Sequence, residues 1–224
     1  MAQTVAPAPL SNPLIVALGD RGLLVRFASS LSDEANRAAV GFARRLGETR
    51  LDGVNEIAPN LVSVLLRYDP ATIAFDRLAG EVRLLLGRPD ATGAGTPARH
   101  RIAARFGGEE GPDLNEVAQR LGMSRSAFVA AHNARPLRVL TTGFAPGFVY
   151  CGFHALSVPR RSTVRPLVPA GTILFAAGQT AITATPLPTG WNVIGRTDFR
   201  NFDPLRAPPT LLREGDEIVF EAAR

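Results

Sequence analysis

The residues of this chain best suited to chemistry are three histidines, a run of arginines and a glutamine flanked by glycine and threonine. The histidines are His100, His132 and His154, with no His-x-His or His-x-x-x-His pair, so no metal site is expected. All 25 basic residues are arginine, which excludes a Schiff-base lysine and a phosphate-loop lysine. No Asp or Glu lies in residues 117–197, an interval that holds eight arginines: Arg120, Arg125, Arg135, Arg138, Arg160, Arg161, Arg165 and Arg196. A general base acting there must therefore be a histidine, an acid from outside the interval, or a group from another chain. A paired-carboxylate hydrolase has no acids there to use, and no G-x-S-x-G elbow offers a serine nucleophile. Cys151, the one cysteine, permits no internal disulfide and no multi-cysteine zinc site; in its apolar setting it reads as a buried structural thiol.

Arg160, Arg161 and Arg165 lie within six residues in PRRSTVR, and a guanidinium can grip a carboxylate or phosphate at two points. VPAGTILFAAGQT (168–180) ends in Gly178, which lets backbone come close, and Gln179, whose amide can both donate and accept. PTGWNVIGRT (188–197) sets Trp191 between glycines and Arg196 beside Gly195. GFAPGFVYCGF (143–153) mixes glycine, proline and aromatics without a charge. Phe144, Pro146, Gly147, Phe148 and Tyr150 in it, together with Trp191, suit a pocket or interface wall better than catalysis. His132 falls near a helix end, where a cation would suit the dipole, and a structural role is favoured for it. His154 fits either role, and His100 a surface position.

These residues need elements to hold them. PLIVALG (13–19) and LLVRF (23–27) flank a Gly-Asp-Arg-Gly turn and read as a hairpin. LSDEANRAAVGFARRLGE (31–48) has apolar residues at helical spacing, with Ser32 as cap and Asp33 and Glu34 in the first turn. GVNEIAP and LVSVLLRY (61–68) read as strands, and IAFDRLAGEVRLLL (73–86) as a second amphipathic helix. The order β-β-α-β-β-α gives a layer of sheet and helices over residues 13–90, after a disordered leader at 1–12. A Pro, Gly, Ala and Thr stretch marks a linker at 91–98. From 99 to 224, one strand and two short helices (one capped by Ser124) precede short extended runs separated by Gly and Pro, the pattern of a barrel or sandwich. No apolar run is long enough for a membrane span, and the N-terminus lacks a secretory signal, so a cytoplasmic location is expected. Residues 1–98 carry 10 Arg against 10 acids; residues 99–224 carry 15 Arg against 10. That basic half suits nucleic acid, or a small anion or acidic partner. The arginines are not gathered on one helix and no nucleic-acid motif accompanies them, which favours the second.

GFAPGFVYCG, PRR and VR, VPAGT, AGQT, GW and IGRT, in this order and spacing, resemble the B-type subunit of bacterial 5-oxoprolinase, whose family is also called allophanate hydrolase subunit 1. The resemblance extends to FGGEEGPDLNEVA (106–118), LGDRGLLVRF and APNLVSVLLRYDP, and so to nearly the whole chain. The family includes Kip-type inhibitors of sporulation kinases and is similar to half of the carboxyltransferase region of urea carboxylases.

The resemblance implies an α+β fold: a ferredoxin-like N-terminal domain followed by a cyclophilin-like β-barrel. It implies a homologous larger partner of the C type, a third protein of the A type, and ATP-dependent opening of the 5-oxoproline lactam to glutamate. ATP with Mg would be bound by the complex and not necessarily by this chain. On this reading Arg160 and Arg165, with Arg196, hold anionic groups of a small amide or lactam. Gln179, Thr180 and Gly178 meet the amide, and His132 carries a proton. The sequence departs from the family pattern at Ala177 and Ala181, which replace glycines, at Thr183, which replaces tyrosine, and at Arg105, which stands where cysteine is usual. A methyl group at Ala177 or Ala181 would close backbone space. The alternative role is binding and blocking a histidine kinase; prolyl isomerisation rests on fold analogy alone.

Overall fold

A computed structural model describes residues 12–88 and 97–223. Most of the expected leader and most of the expected linker lie outside the described residues. The chain divides into two compact units, one before and one after Pro97.

In the first unit, strands β1 (Leu14–Leu18), β2 (Gly22–Arg26), β3 (Val54–Pro59) and β4 (Ser63–Tyr68) form an antiparallel sheet in the order β1-β2-β4-β3. Helices α1 (Asp33–Thr49) and α2 (Phe75–Leu86) supply the apolar faces read from the sequence. The Ser32 hydroxyl caps α1 by accepting from the Ala35 amide at 3.1 Å. Every second residue of β2 and β4 (Leu23, Val25, Val64, Leu66) is buried against Ala35, Ala39, Phe42 and Leu46 of α1 and Leu78 and Val82 of α2.

The second unit is a closed barrel. Strands β5 (Arg99–Phe106), β6 (Leu137–Thr142), β7 (Val149–Gly152), β9 (Thr172–Ala176), β10 (Gln179–Ile182), β12 (Asn192–Arg196) and β13 (Glu217–Ala222) close in the order β10-β7-β6-β13-β5-β12-β9. Of its pairings only β5 with β13 is parallel. A two-stranded sheet of β8 (Arg165–Val168) and β11 (Leu187–Thr189) stands apart from the ring. The short apolar stretch TAITATPL (180–187) is split between β10 and β11. Helices α3 (Leu114–Arg120) and α4 (Arg125–His132) join β5 to β6, and their Leu114, Val117 and Phe128 share one core cluster with Ile102, Val139, Phe175 and Ile218. Cys151 lies fully buried in that cluster, where burial pushes its thiol far above the usual range and leaves it inert.

Two turns explain much of the glycine content near the residues of interest. Gly147 has φ +69°, and a Cβ there would lie 2.5 Å from the Phe202 Cβ and 2.8 Å from the Ala184 Cβ. The β9–β10 hairpin turns on Ala177 and Gly178, with φ +50° and +73°, and closes on the Ala176–Gln179 pair. Two consecutive left-handed residues match the mirror-image two-residue turn that strand twist favours. Ala177 therefore carries a methyl group in a conformation that suits glycine. Ala181, by contrast, is an ordinary buried strand residue. Ala177→Gly should raise stability by about 1 kcal/mol, since relief of the left-handed strain outweighs the added freedom of the unfolded chain. A urea titration that shows an unchanged or lower midpoint contradicts this.

Candidate functional site

Strand β10 divides the candidate residues between two faces. Thr180 points into the barrel, where its Oγ1 lies 2.8 Å from Nε2 of His132 and 2.8 Å from Nε2 of His154. Side chains alternate along a strand, so Gln179 and Ala181 point outward. Ala181 packs there with Phe148, Trp191 and Val193, against Tyr150.

On the inner face, α4 delivers His132 as its last residue and the segment after β7 delivers His154. The two rings stack at 4.6 Å between centroids, 20° from parallel. Phe106, Phe128, Phe175 and Phe220 surround His132 at 5.7 to 5.8 Å. Taking both rings out of water disfavours their charged forms. His132 falls to about 4 through burial, against a smaller raising effect from its bond to Asn133. His154 falls to about 3 through burial and then through the charge of His132. A cation would suit the end of α4, but burial favours the neutral form of His132.

On the outer face, an aromatic ladder leads to an arginine. Phe144 meets Phe148 at 5.4 Å, Phe148 meets Tyr150 at 4.8 Å, and Tyr150 meets Trp191 at 5.9 Å. The Arg160 guanidinium carbon lies 5.5 Å from the centre of the Trp191 ring. The Tyr150 hydroxyl is raised by burial, an effect the nearby Arg160 charge opposes. Gln179 sits on this face, one step along from the Tyr150–Ala181 pair. It is 8% exposed, and its Nε2 is buried without a hydrogen-bond partner. Phe144 is 69% exposed at the free end of the ladder.

The three clustered arginines separate in role. Asp113, at the start of α3, is 4% exposed. It accepts from Arg161, from Arg165 Nη2 at 2.6 Å and Nε at 3.3 Å, and from the Val193 amide at 2.8 Å. Arg165, expected to hold a ligand's carboxylate, thus holds a carboxylate of its own chain. Arg160 makes no ion pair among the described residues. Arg196 lies apart on β12, near Asp198. Asp198 is held below its ordinary value chiefly by its bond to Arg105.

Residues 153–164 run along the barrel as a strap. The His154 amide donates to the Gly178 carbonyl at 2.9 Å, the Ala177 amide to Val158 at 2.8 Å, and the Arg161 amide to Gly190 at 2.8 Å. The backbone that comes close to Gly178 is therefore this strap. Asn192 Nδ2 ties the strap to β9 through the carbonyls of Pro159 at 3.1 Å and Phe175 at 3.0 Å. Sequence reasoning missed Asp113, Asn133 and Asn192. The position of Asp113 just outside the acid-free interval was the available signal: eight arginines need a counter-charge from somewhere.

Residues 13–212 match the model of the family described as carboxyltransferase domain, subdomain C and D. The chain is similar to the B-type subunit of 5-oxoprolinase from Bacillus subtilis (strain 168), with 32% identity over 92% of this chain and 91% of that protein. It is similar to the crystal structure of TTHA0988, with a TM-score of 0.78 and 37% identity over 91% of this chain; it spans 40% of that longer chain. The Kluyveromyces lactis urea carboxylase shares the fold, with a TM-score of 0.76 over 97% of this chain and 23% of that one at 14% identity.

Asp113→Ala should lower stability by about 3 kcal/mol, at the low end for a broken buried pair because both arginines keep some contact with water. A change below about 1 kcal/mol in urea unfolding would remove Asp113 from its central place. The two histidines set a second expectation. Each binds its proton less readily folded than at its ordinary value of 6.5, so the unfolded chain takes up protons first as pH falls. Their contribution is complete above 6.5 and is lost as pH falls from 6.5 to about 4 for His132 and to about 3 for His154. A melting temperature flat across that window contradicts neutral burial of the pair.

Proposed function

The chain belongs to the carboxyltransferase-domain family, subdomains C and D, and from that premise we propose that it is the B-type subunit of an ATP-dependent 5-oxoprolinase. In this reading it works with a larger homologous partner of the C type and a third protein of the A type to open the 5-oxoproline lactam to glutamate. The observation that carries the reading is the outer face of the barrel. Arg160 makes no ion pair among the described residues, and Gln179 keeps a buried amide donor without an acceptor. A small molecule bearing a carboxylate and an amide carbonyl supplies both missing partners. Arg160 takes the carboxylate, and Gln179 Nε2 donates to the lactam oxygen. The exposed Phe144 extends the same face toward a partner protein. Similarity along nearly the full length of a B-type relative supports its place in such a complex.

The chain has no lysine for a phosphate loop. In this reading ATP and Mg are bound by the complex and not necessarily by this chain, and no step here passes through them.

Reconstitution with the two partner proteins tests the proposal. The complex should release glutamate from 5-oxoproline only with ATP, and Arg160→Ala and Gln179→Ala should each lower kcat/KM about tenfold or more, the effect of losing one directed polar contact. Unchanged rates in both variants would remove the outer face from the site. A chain that joins no such complex and instead captures a histidine kinase would replace the enzymatic reading with the inhibitory one.

A further inference from the structure

Between Arg160 and Gln179, the outer face carries a third polar group without a partner. Tyr150 stands on β7 directly across from Ala181 of β10. Gln179 lies two residues from Ala181 on the same face, and diagonal neighbours of this kind are about 7 to 8 Å apart, within reach of long side chains. In the other direction, the Tyr150 ring meets Trp191 at 5.9 Å, and the Arg160 guanidinium carbon lies 5.5 Å from the centre of that same ring. The charge of Arg160 reaches the phenol, where it opposes the upward push of burial. Tyr150 is half-buried; its hydroxyl is not sealed from solvent and makes no hydrogen bond among the described residues. Burial keeps that hydroxyl in its neutral form at neutral pH, so it has one hydrogen to give and lone pairs to accept with.

The face thus presents a cation, a hydroxyl and an amide donor in that order. The groups of 5-oxoproline run in the same order: carboxylate, ring N–H, carbonyl. With Arg160 on the carboxylate and Gln179 on the carbonyl, the ring N–H falls opposite the hydroxyl. We propose that Tyr150 reads the ring nitrogen: its hydroxyl gives its hydrogen to the carboxylate held by Arg160 and accepts the ring N–H. The proposal rests on the functional reading above and adds to it a specificity residue on the same face as Arg160 and Gln179. All three contacts come from one side of the barrel wall, so one small molecule can meet them together. A lactone, with oxygen in place of the N–H, sets a lone pair against the lone pair of the hydroxyl and is refused.

Calorimetric titration of the reconstituted complex without ATP reads binding apart from turnover. The probes are 5-oxoproline and its ring-oxygen analogue, 5-oxotetrahydrofuran-2-carboxylate. The unaltered complex should hold the lactam about tenfold more tightly than the lactone, the worth of one hydrogen bond. Tyr150→Phe removes the hydroxyl and keeps the ring that packs against Phe148 and Trp191. It should bind 5-oxoproline about tenfold more weakly and lose the preference between the two rings. Equal binding of the two rings by the unaltered complex overturns the proposal without any variant. An undiminished preference in Tyr150→Phe overturns it too, and leaves the functional reading standing where 5-oxoproline is still opened. A complex that shows the expected preference and opens no lactam with ATP fails the functional reading alone. A complex that does not bind 5-oxoproline overturns both.

Discussion

One carboxylate, that of Asp113, fixes the outer face of the barrel. It joins the first turn of α3 to the backbone of β12 and gathers two arginines from the strap and from β8. Holding Arg161 in this way sets the position of its neighbour Arg160, and holding the Val193 amide sets Trp191 two residues earlier. The pair that meets at 5.5 Å is thus positioned twice by the same group. The charge is unbalanced: one carboxylate faces two guanidinium groups, and Arg160 adds a third positive charge beside them. A surface built this way draws small anions and repels cations before any specific contact forms.

The inner face follows a different rule. Its polar atoms sit among phenylalanines, so each needs a partner, and charge is expelled from both histidines. The barrel wall keeps this neutral interior beside the basic exterior without mixing them.

The fold was legible because its signals are local. Ser32 announced the start of α1, the apolar spacing of Ala35, Ala39, Phe42 and Leu46 announced its buried face, and the short runs after residue 134 announced a barrel or sandwich, which the structure resolves as a barrel. The motif series identified the family. The roles within the motifs were not legible. Arg160 and Arg165 have the same chemistry and lie five residues apart, yet one faces a tryptophan ring and the other a buried aspartate. Only the fold brings Asp113 to the second, across a separation of 52 residues. His132 and Thr180 are 48 residues apart, and no spacing in the sequence pairs them. The methyl group expected to close space at Ala177 proved to matter for backbone conformation.

That one strand serves both faces bears on how such a protein can evolve. Gln179 and Ala181 can be exchanged singly to suit a new ligand while Thr180 and Ile182 continue to face inward. Point substitution thus explores specificity at little risk to the interior. A one-residue insertion or deletion in β10 would swap the faces, sending the hydroxyl outward and the amide into the aromatic core. Diversification along this strand is therefore confined to replacement at fixed length, with Ala181 limited by the aromatic cluster around it and Thr180 and Ile182 by the barrel interior.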